Sequence, residues 1–458
     1  MVNKYLYYNE EYNKIIEKLE NDNLDIKDIS NYILNEKEKE IIIKELKKLK
    51  KQKPIIQNLE IIKNTKNKLK EYLNKDFANY LVDYFLGYRQ LTKLFDSKDI
   101  EEIIINDYDK IFIIDRDQNK ILTGISFTEK EYDKFIDVLI NTVNKNFNKR
   151  EFIDGSLPDK SRLNIVSTNV CGFHAITIRK FTRKPLTIID LINSETVDSY
   201  TAAYLWTIID GFKIRPANIF ICGGTGCGKT TFLNVLLDFI NNKERIILIE
   251  DTNEIDVSNF EDSVSLLSDI SNENSLYDIT INTLRMRPDR IIIGEVRGKE
   301  AQGLFVAMDT GHDGCLATLH ANNSEDTINK LLNKPMEISE TNIPLLDLII
   351  ILKRQQINGK LKRKISQISE ITKVGNISLN HIYKENDGSP ATTNIMLSQV
   401  SEKLCEIINI SKNDFKKIVE YRAGLLDEIS NSNPKIDKGE LKKILHSIEF
   451  DYKTILEK

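Results

Sequence analysis

The run Gly223-Gly-Thr-Gly-Cys-Gly-Lys-Thr230 (GGTGCGKT) fits the pattern G-x-x-x-x-G-K-[ST] at every fixed position. The pattern carries a mechanism. Glycines let successive backbone N–H groups curl around phosphate oxygens with no Cβ in the way. Gly223, Gly224, Thr225, Gly226, Cys227 and Gly228 supply the loop, and Lys229 follows with a charge that can reach β- and γ-phosphates. The Thr230 hydroxyl is placed to ligate Mg2+, and Thr231 lies in the first turn of a helix whose N-terminus adds partial positive charge. The expected ligand is ATP with Mg2+. A glycine-rich turn with no ligand is the competing reading, and Lys229 and Thr230 in register argue against it.

Three further clusters follow. Glu250, Asp251 and Glu254 sit in IEDTNEI, where one carboxylate can orient or deprotonate an attacking water. A solvated acidic loop would look the same. RPDRIIIGEVRG (287–298) delivers Glu295 after an apolar run, and this carboxylate can hold Mg2+ through water. Arg285, Arg287, Arg290 and Arg297 crowd that segment, either near a phosphate or in ion pairs with the acidic loops. TGHDGCLATLHAN (310–322) carries His312 and His320. No cysteine or acidic pair stands at zinc-ligand spacing beside them, so hydrogen bonding to a phosphate suits them better than a metal.

These groups need a scaffold that brings them to one edge. Apolar runs at 219–222, 246–249, 291–293, 316–319 and 348–352 alternate with helical patterns over about 191–375. That alternation predicts a parallel sheet wrapped by helices, and open sheets of this kind bind ligands past the carboxyl ends of their strands. Upstream, 76–190 reads as a smaller α/β domain. Strands are expected at 103–105, 111–114, near Ile121 and at 175–181, with an amphipathic helix from Glu129 to Ile140. Residues 1–75 read as charged helix with Ile42, Leu46 and Leu49 on one face and Pro54 ending it. The lysines around that face are a solvated surface or a contact for anionic lipid. Residues 376–458 read as a polar, irregular linker and then helix.

The 458 residues suit two to four domains. A formal net charge of −4 and the lack of aromatic–basic interleaving argue against a dedicated nucleic-acid partner. Five scattered cysteines form no CxxC pair, no run is long and apolar enough to span a bilayer, and the first residues lack a signal-peptide pattern. A cytoplasmic location is therefore expected.

Taken together and in this order, the phosphate loop, IEDTNE, RPDRIIIGEVRG and TGHDG…TLHAN resemble the type II/IV secretion system ATPase superfamily. GSLPDKSRLN (155–164) and TIRKF (177–181) resemble its N-terminal sensor domain, and NKPMEI (333–338) with NIPLLDLIII (342–351) its archaeal branch. The resemblance covers about residues 80–375. It implies a RecA-like P-loop NTPase core behind an α/β sensor domain, with helical terminal segments. It implies an ATPase forming a homo-hexameric ring on the inner face of the membrane, working on an integral-membrane platform protein in pilus assembly or secretion. It gives Glu254 the role of catalytic base, Glu295 that of Walker B carboxylate, and His312 and His320 places in the histidine box. Arg162 and Arg179 would reach the nucleotide. Two departures stand out: Ser156 where some relatives carry arginine, and Lys160 where glycine is usual. A DNA translocase and a nucleotide-binding regulator without turnover are the alternatives; DNA-stimulated hydrolysis would favour the first and absence of turnover the second.

Overall fold

The computed structural model describes residues 14–15, 18, 29–35, 38–51, 59–115, 119–143, 152–159, 161–181, 186–252, 254–268, 276–357, 360–374, 376–386, 389–393 and 395–447. Pro54 and Lys160 lie outside the described residues. The chain divides into two compact units, 1–183 and 184–458.

The first unit holds an antiparallel sheet of β1 (Ile100–Asp107), β2 (Lys110–Asp115), β3 (Lys120–Leu122), β4 (Phe152–Ser156), β5 (Arg162–Val166) and β6 (Ala175–Arg179), in the order β3-β2-β1-β6-β5-β4. Alternation in β1 turns Ile103 and Ile105 inward, where helix Glu129–Thr142 covers them with Phe135 and Leu139. Thr128 and Glu131 close a capping box at the start of that helix. A separate helical core joins Ile42, Leu46 and Leu49 to Phe77, Ala78 and Leu81. Helix Lys75–Leu86 thus packs with the N-terminal helices, so the expected boundary at 75/76 falls at the start of a helix that belongs to the helical core.

The second unit is built on nine strands: β7 (Ile219–Gly223), β8 (Ile246–Glu250), β9 (Ser263–Leu267), β10 (Arg290–Val296), β11 (Leu316–Leu319), β12 (Leu348–Ile357), β13 (Lys360–Val374), β14 (Asn376–Asn386) and β15 (Ser389–Thr393). Their order is β15-β14-β13-β12-β7-β11-β10-β8-β9. The six strands from β12 to β9 in that order are parallel, and β13 to β15 extend the sheet antiparallel. β7 and β8 are buried along their whole length, which is why they read as unbroken apolar runs. Each fully buried Ile or Leu contributes about 1.5–3 kcal/mol. The architecture is α/β with a RecA-like P-loop core.

The start of 376–458, expected to be a polar, irregular linker, instead forms β14 and β15, which with β13 widen the sheet. Helix was expected after it, and helices Gln399–Ile408, Lys412–Ser432 and Lys438–Ser447 place Leu404, Phe415, Leu426 and Leu441 in one core with Trp206 and Phe239. The Glu370 carboxylate on β13 accepts from the N–H groups of Gln399 at 2.9 Å and Val400 at 3.0 Å, capping the first of these helices from the sheet. Arg422 stacks 4.5 Å over the Trp206 ring and pairs with Asp210 at 3.2 Å. The polar residues of this stretch hid its contribution, because strand alternation and a half-buried helix both keep polar faces.

Candidate nucleotide-binding site

Because the strands are parallel, the segments after β7, β8, β10 and β11 emerge at one edge of the sheet. The phosphate loop follows β7. Gly223 packs so closely on β12 that a Cβ there would lie 2.4 Å from the Leu352 carbonyl oxygen. Gly226 and Gly228 take φ values of +72° and +92°, a backbone region that L side chains rarely adopt. Helix Lys229–Leu236 begins at Gly228 with no side-chain cap, which leaves its first N–H groups for an anion. Lys229 is only 8% exposed, and its Nζ donates to the carbonyls of Gly223 at 3.0 Å and Gly224 at 3.1 Å. The charge is thereby held at the mouth of the loop.

β10 and β11 bring Glu295 and His320 to the same place. His320 Nε2 lies 2.9 Å from Glu295 Oε1, and both ring nitrogens of His320 lie 3.3 Å from Lys229 Nζ. Arg297 bridges Glu295 at 2.5 Å and Asp251 at 2.7 Å. Burial pushes the Glu295 carboxyl up, but the hydrogen bond and charge of Arg297, with His320 and Lys229, outweigh it and hold the group below the ordinary glutamate range. Burial and the Lys229 charge push His320 down against the pull of Glu295, so its neutral form is favoured. An ionised carboxylate kept at the loop, with the Thr230 hydroxyl in the first turn of the helix, is a donor set that suits Mg2+.

The acidic cluster after β8 divides by role. Glu250 is buried, and its Oε1 accepts from the backbone N–H groups of Glu254 and Ile255, each at 3.0 Å. Its stem lies under Gly294, where a Cβ would come within 3.0 Å of Glu250 Cγ. Burial raises its carboxyl to about 8 despite those two hydrogen bonds. Glu250 therefore ties down the turn that presents Glu254. Glu254 is half-buried, and among the described residues its carboxylate has no cation partner.

Some expected members lie elsewhere. His312 precedes β11, so it stands at the opposite edge from His320; its Nδ1 is 3.2 Å from the Thr310 hydroxyl. Within one chain the structure does not bring the two histidines together. Arg285 and Arg287 precede β10 and Arg290 opens it, which places all three at that far edge too. Arg290 is buried against Glu244 and Gly314. Only Arg297 of this group joins the site. Arg162 and Arg179 belong to the first unit, where they are direct partners across β5 and β6; Arg179 Nε is 4.0 Å from Glu102.

Two residues at the loop were not anticipated. Arg363 Nε donates to the Gly226 carbonyl at 3.1 Å, and a Cβ built on Gly226 would meet Arg354 Nη1 at 3.1 Å. The signal available was the basic composition of residues 353–364 just after an apolar strand, a pattern that a solvated hairpin shares.

Residues 88–448 match the family described as Type II/IV secretion system protein. Among curated proteins, an uncharacterised protein of Methanocaldococcus jannaschii is 44% identical over 228 residues, covering 48% of this chain and 32% of that protein. A second from the same organism is 37% identical, covering 52% of this chain and 41% of its own length. The chain thus spans well under half of these two relatives. A probable conjugal transfer protein TrbB of Sinorhizobium fredii is 28% identical over 293 residues, covering 61% of this chain and 86% of that protein. Among solved structures, the ATPase DotB of Legionella pneumophila is 17% identical with a TM-score of 0.46, covering 80% of this chain and 94% of that one.

Proposed function

This chain belongs to the Type II/IV secretion system protein family, and from that premise we propose that it is an ATP-hydrolysing motor for secretion or for assembly of a type IV pilus-like filament. The observation that carries this reading is the Lys229–His320–Glu295–Arg297–Asp251 chain of contacts beside the phosphate loop, with Glu254 at the same edge and without a cation partner among the described residues. Gly224 to Thr231 offer backbone N–H groups to the phosphates, and Lys229 supplies charge at the β- and γ-phosphates. Mg2+ would be held by the Thr230 hydroxyl and, through water, by Glu295, and it neutralises charge on phosphate oxygens when bound. Glu254 orients the water for in-line attack and takes its proton. His320, held neutral, has one N–H, which it exchanges between Glu295 and the γ-phosphate and so reports the loss of that phosphate. Arg162 and Arg179 take the roles that the family resemblance implies, favouring the triphosphate over the diphosphate.

In this reading the motor is a homo-hexamer, peripheral to the inner face of the membrane, that acts on an integral-membrane platform protein. No helix of the described residues is long and apolar enough to cross a membrane. The test is a strain carrying Lys229→Ala at native abundance. It is expected to lose the filament or the secreted protein while cross-linking still recovers an integral-membrane partner. Unchanged filaments and secretion would remove the motor reading.

A further inference from the structure

β12 and β13 form a long antiparallel hairpin that overhangs the phosphate-loop edge of the sheet. Its outer part is strongly basic: Lys353, Arg354, Lys362, Arg363 and Lys364 lie within one turn-connected stretch. The register sets Arg354 directly opposite Arg363 and Lys353 directly opposite Lys364. Like charges directly opposite on a strand pair oppose folding, and a bound anion would relieve that cost. Some of the charge is met by carboxylates. Lys362 pairs with Glu195 at 2.5 Å, and Lys364 lies 3.9 Å from Glu385. Among the described residues Arg354 and Arg363 have no such partner.

What the two arginines touch is the phosphate loop. Arg363 Nε donates to the Gly226 carbonyl at 3.1 Å, and its Cδ lies where a Cβ of Gly228 would come within 3.3 Å. Arg354 Nη1 lies 3.1 Å from the Cβ position of Gly226. These are two of the loop glycines with positive φ. The guanidinium groups therefore close on the part of the loop that has no side chain of its own. They stand on the β12 side of β7, whereas Glu295 and His320 stand on the β11 side.

We propose that Arg354 and Arg363 form a two-arginine clasp that is part of the nucleotide site: Arg363 positions the phosphate loop through the Gly226 carbonyl, and Arg354 binds phosphate oxygens of the triphosphate in the same chain. The clasp rests on the ATP-site reading given above. Guanidinium is suited to the task because its fork of N–H donors stays charged and can serve a carbonyl and an anion together. A bound polyphosphate supplies the negative charge that the facing arginines lack, so the hairpin and the nucleotide stabilise each other. Lys353, on the other face of β12, is the built-in control: it carries the same charge in the same hairpin but points away from the loop glycines that Arg354 and Arg363 meet.

The experiment measures affinity of the full chain for a fluorescent nonhydrolysable ATP analogue with Mg2+, for wild type and for Arg354→Gln, Arg363→Gln, Arg363→Lys, Lys353→Gln and Lys229→Ala. Folding of each is followed by circular dichroism and Tm. Arg354→Gln and Arg363→Gln are expected to weaken binding about tenfold each, the scale of one hydrogen bond to a charged group. Arg363→Lys should not rescue, because lysine keeps the charge but loses the Nε–H directed at Gly226. Lys353→Gln should bind within about twofold of wild type, as expected for a screened surface charge. The clasp is overturned if folded Arg354→Gln and Arg363→Gln bind like wild type while Lys229→Ala loses binding. It is overturned as well if Lys353→Gln weakens binding as much as they do, since charge alone then explains the effect. If Lys229→Ala also binds like wild type, the failure lies in the ATP-site reading beneath it.

Discussion

The two flanks of the phosphate loop are built from opposite chemistries. On the β11 side, three strand ends deliver carboxylates and an imidazole in a chain of contacts that ends on Lys229. On the β12 side, the charged groups that a hairpin brings to the loop are, among the described residues, cations. The acidic flank can hold a metal, orient water and respond to the γ-phosphate. The basic flank can bind and position, but it offers no proton acceptor. Under the proposed function, turnover and affinity are separable: the first belongs to strand ends, the second in part to a hairpin.

That separation can be broken at several points. The largest effect is expected from Glu254→Gln, which should still bind MgATP but lower turnover by about 10²–10⁴-fold, the usual worth of general-base help. A rapid-quench measurement checks it, and near-normal turnover would move the base role to another carboxylate of the acidic flank. Next come Arg162→Ala and Arg179→Ala, cations of the first unit. Each should weaken affinity for the triphosphate analogue about tenfold and affect ADP less, which calorimetric titration would show. Equal losses for both nucleotides would deny them a γ-phosphate role.

The smallest effect concerns Glu250 and is read as stability. Burial raises its carboxyl to about 8, well above the ordinary glutamate range. The folded chain therefore holds a proton that the unfolded chain releases as pH rises through the carboxylate range. Stability contributed by this group is full at low pH and declines until pH passes about 8. Glu250→Gln keeps an oxygen for the N–H groups of Glu254 and Ile255 and does not titrate. Its Tm relative to wild type should rise between pH 5 and pH 9 by a few degrees. A flat difference across that window would show that Glu250 is ionised throughout.

Legibility in the sequence follows the same divide. GGTGCGKT specifies a backbone shape, so the loop was readable from residue types alone. Glu295 and His320 were readable because apolar runs fix where their strands end. Glu250 and Glu254 could not be told apart by spacing. Only burial under Gly294 shows that one is scaffold and leaves the other free to act. His312 and His320 are eight positions apart, and a four-residue strand between them sends them to opposite edges. Arg354 and Arg363 were invisible as a pair, since cross-strand register, which no linear pattern states, sets them side by side. β13 and β14 were missed for a related reason. On β13 the polar Ser366, Gln367, Ser369, Glu370 and Thr372 are buried, which no linear pattern announces, and the strand is long because it pairs with β12 on one side and β14 on the other.

Under the proposed function the loop at 223–230 is the seat of ATP hydrolysis. The direct measurement is steady-state phosphate release by the purified full chain with Mg2+ and ATP, wild type beside Lys229→Ala, each shown to be folded by circular dichroism and Tm. Turnover by the wild type and a loss of about 10²-fold or more in Lys229→Ala are expected, because a preorganised charge at the developing phosphate charge is removed. Equal turnover by a folded Lys229→Ala chain would contradict it.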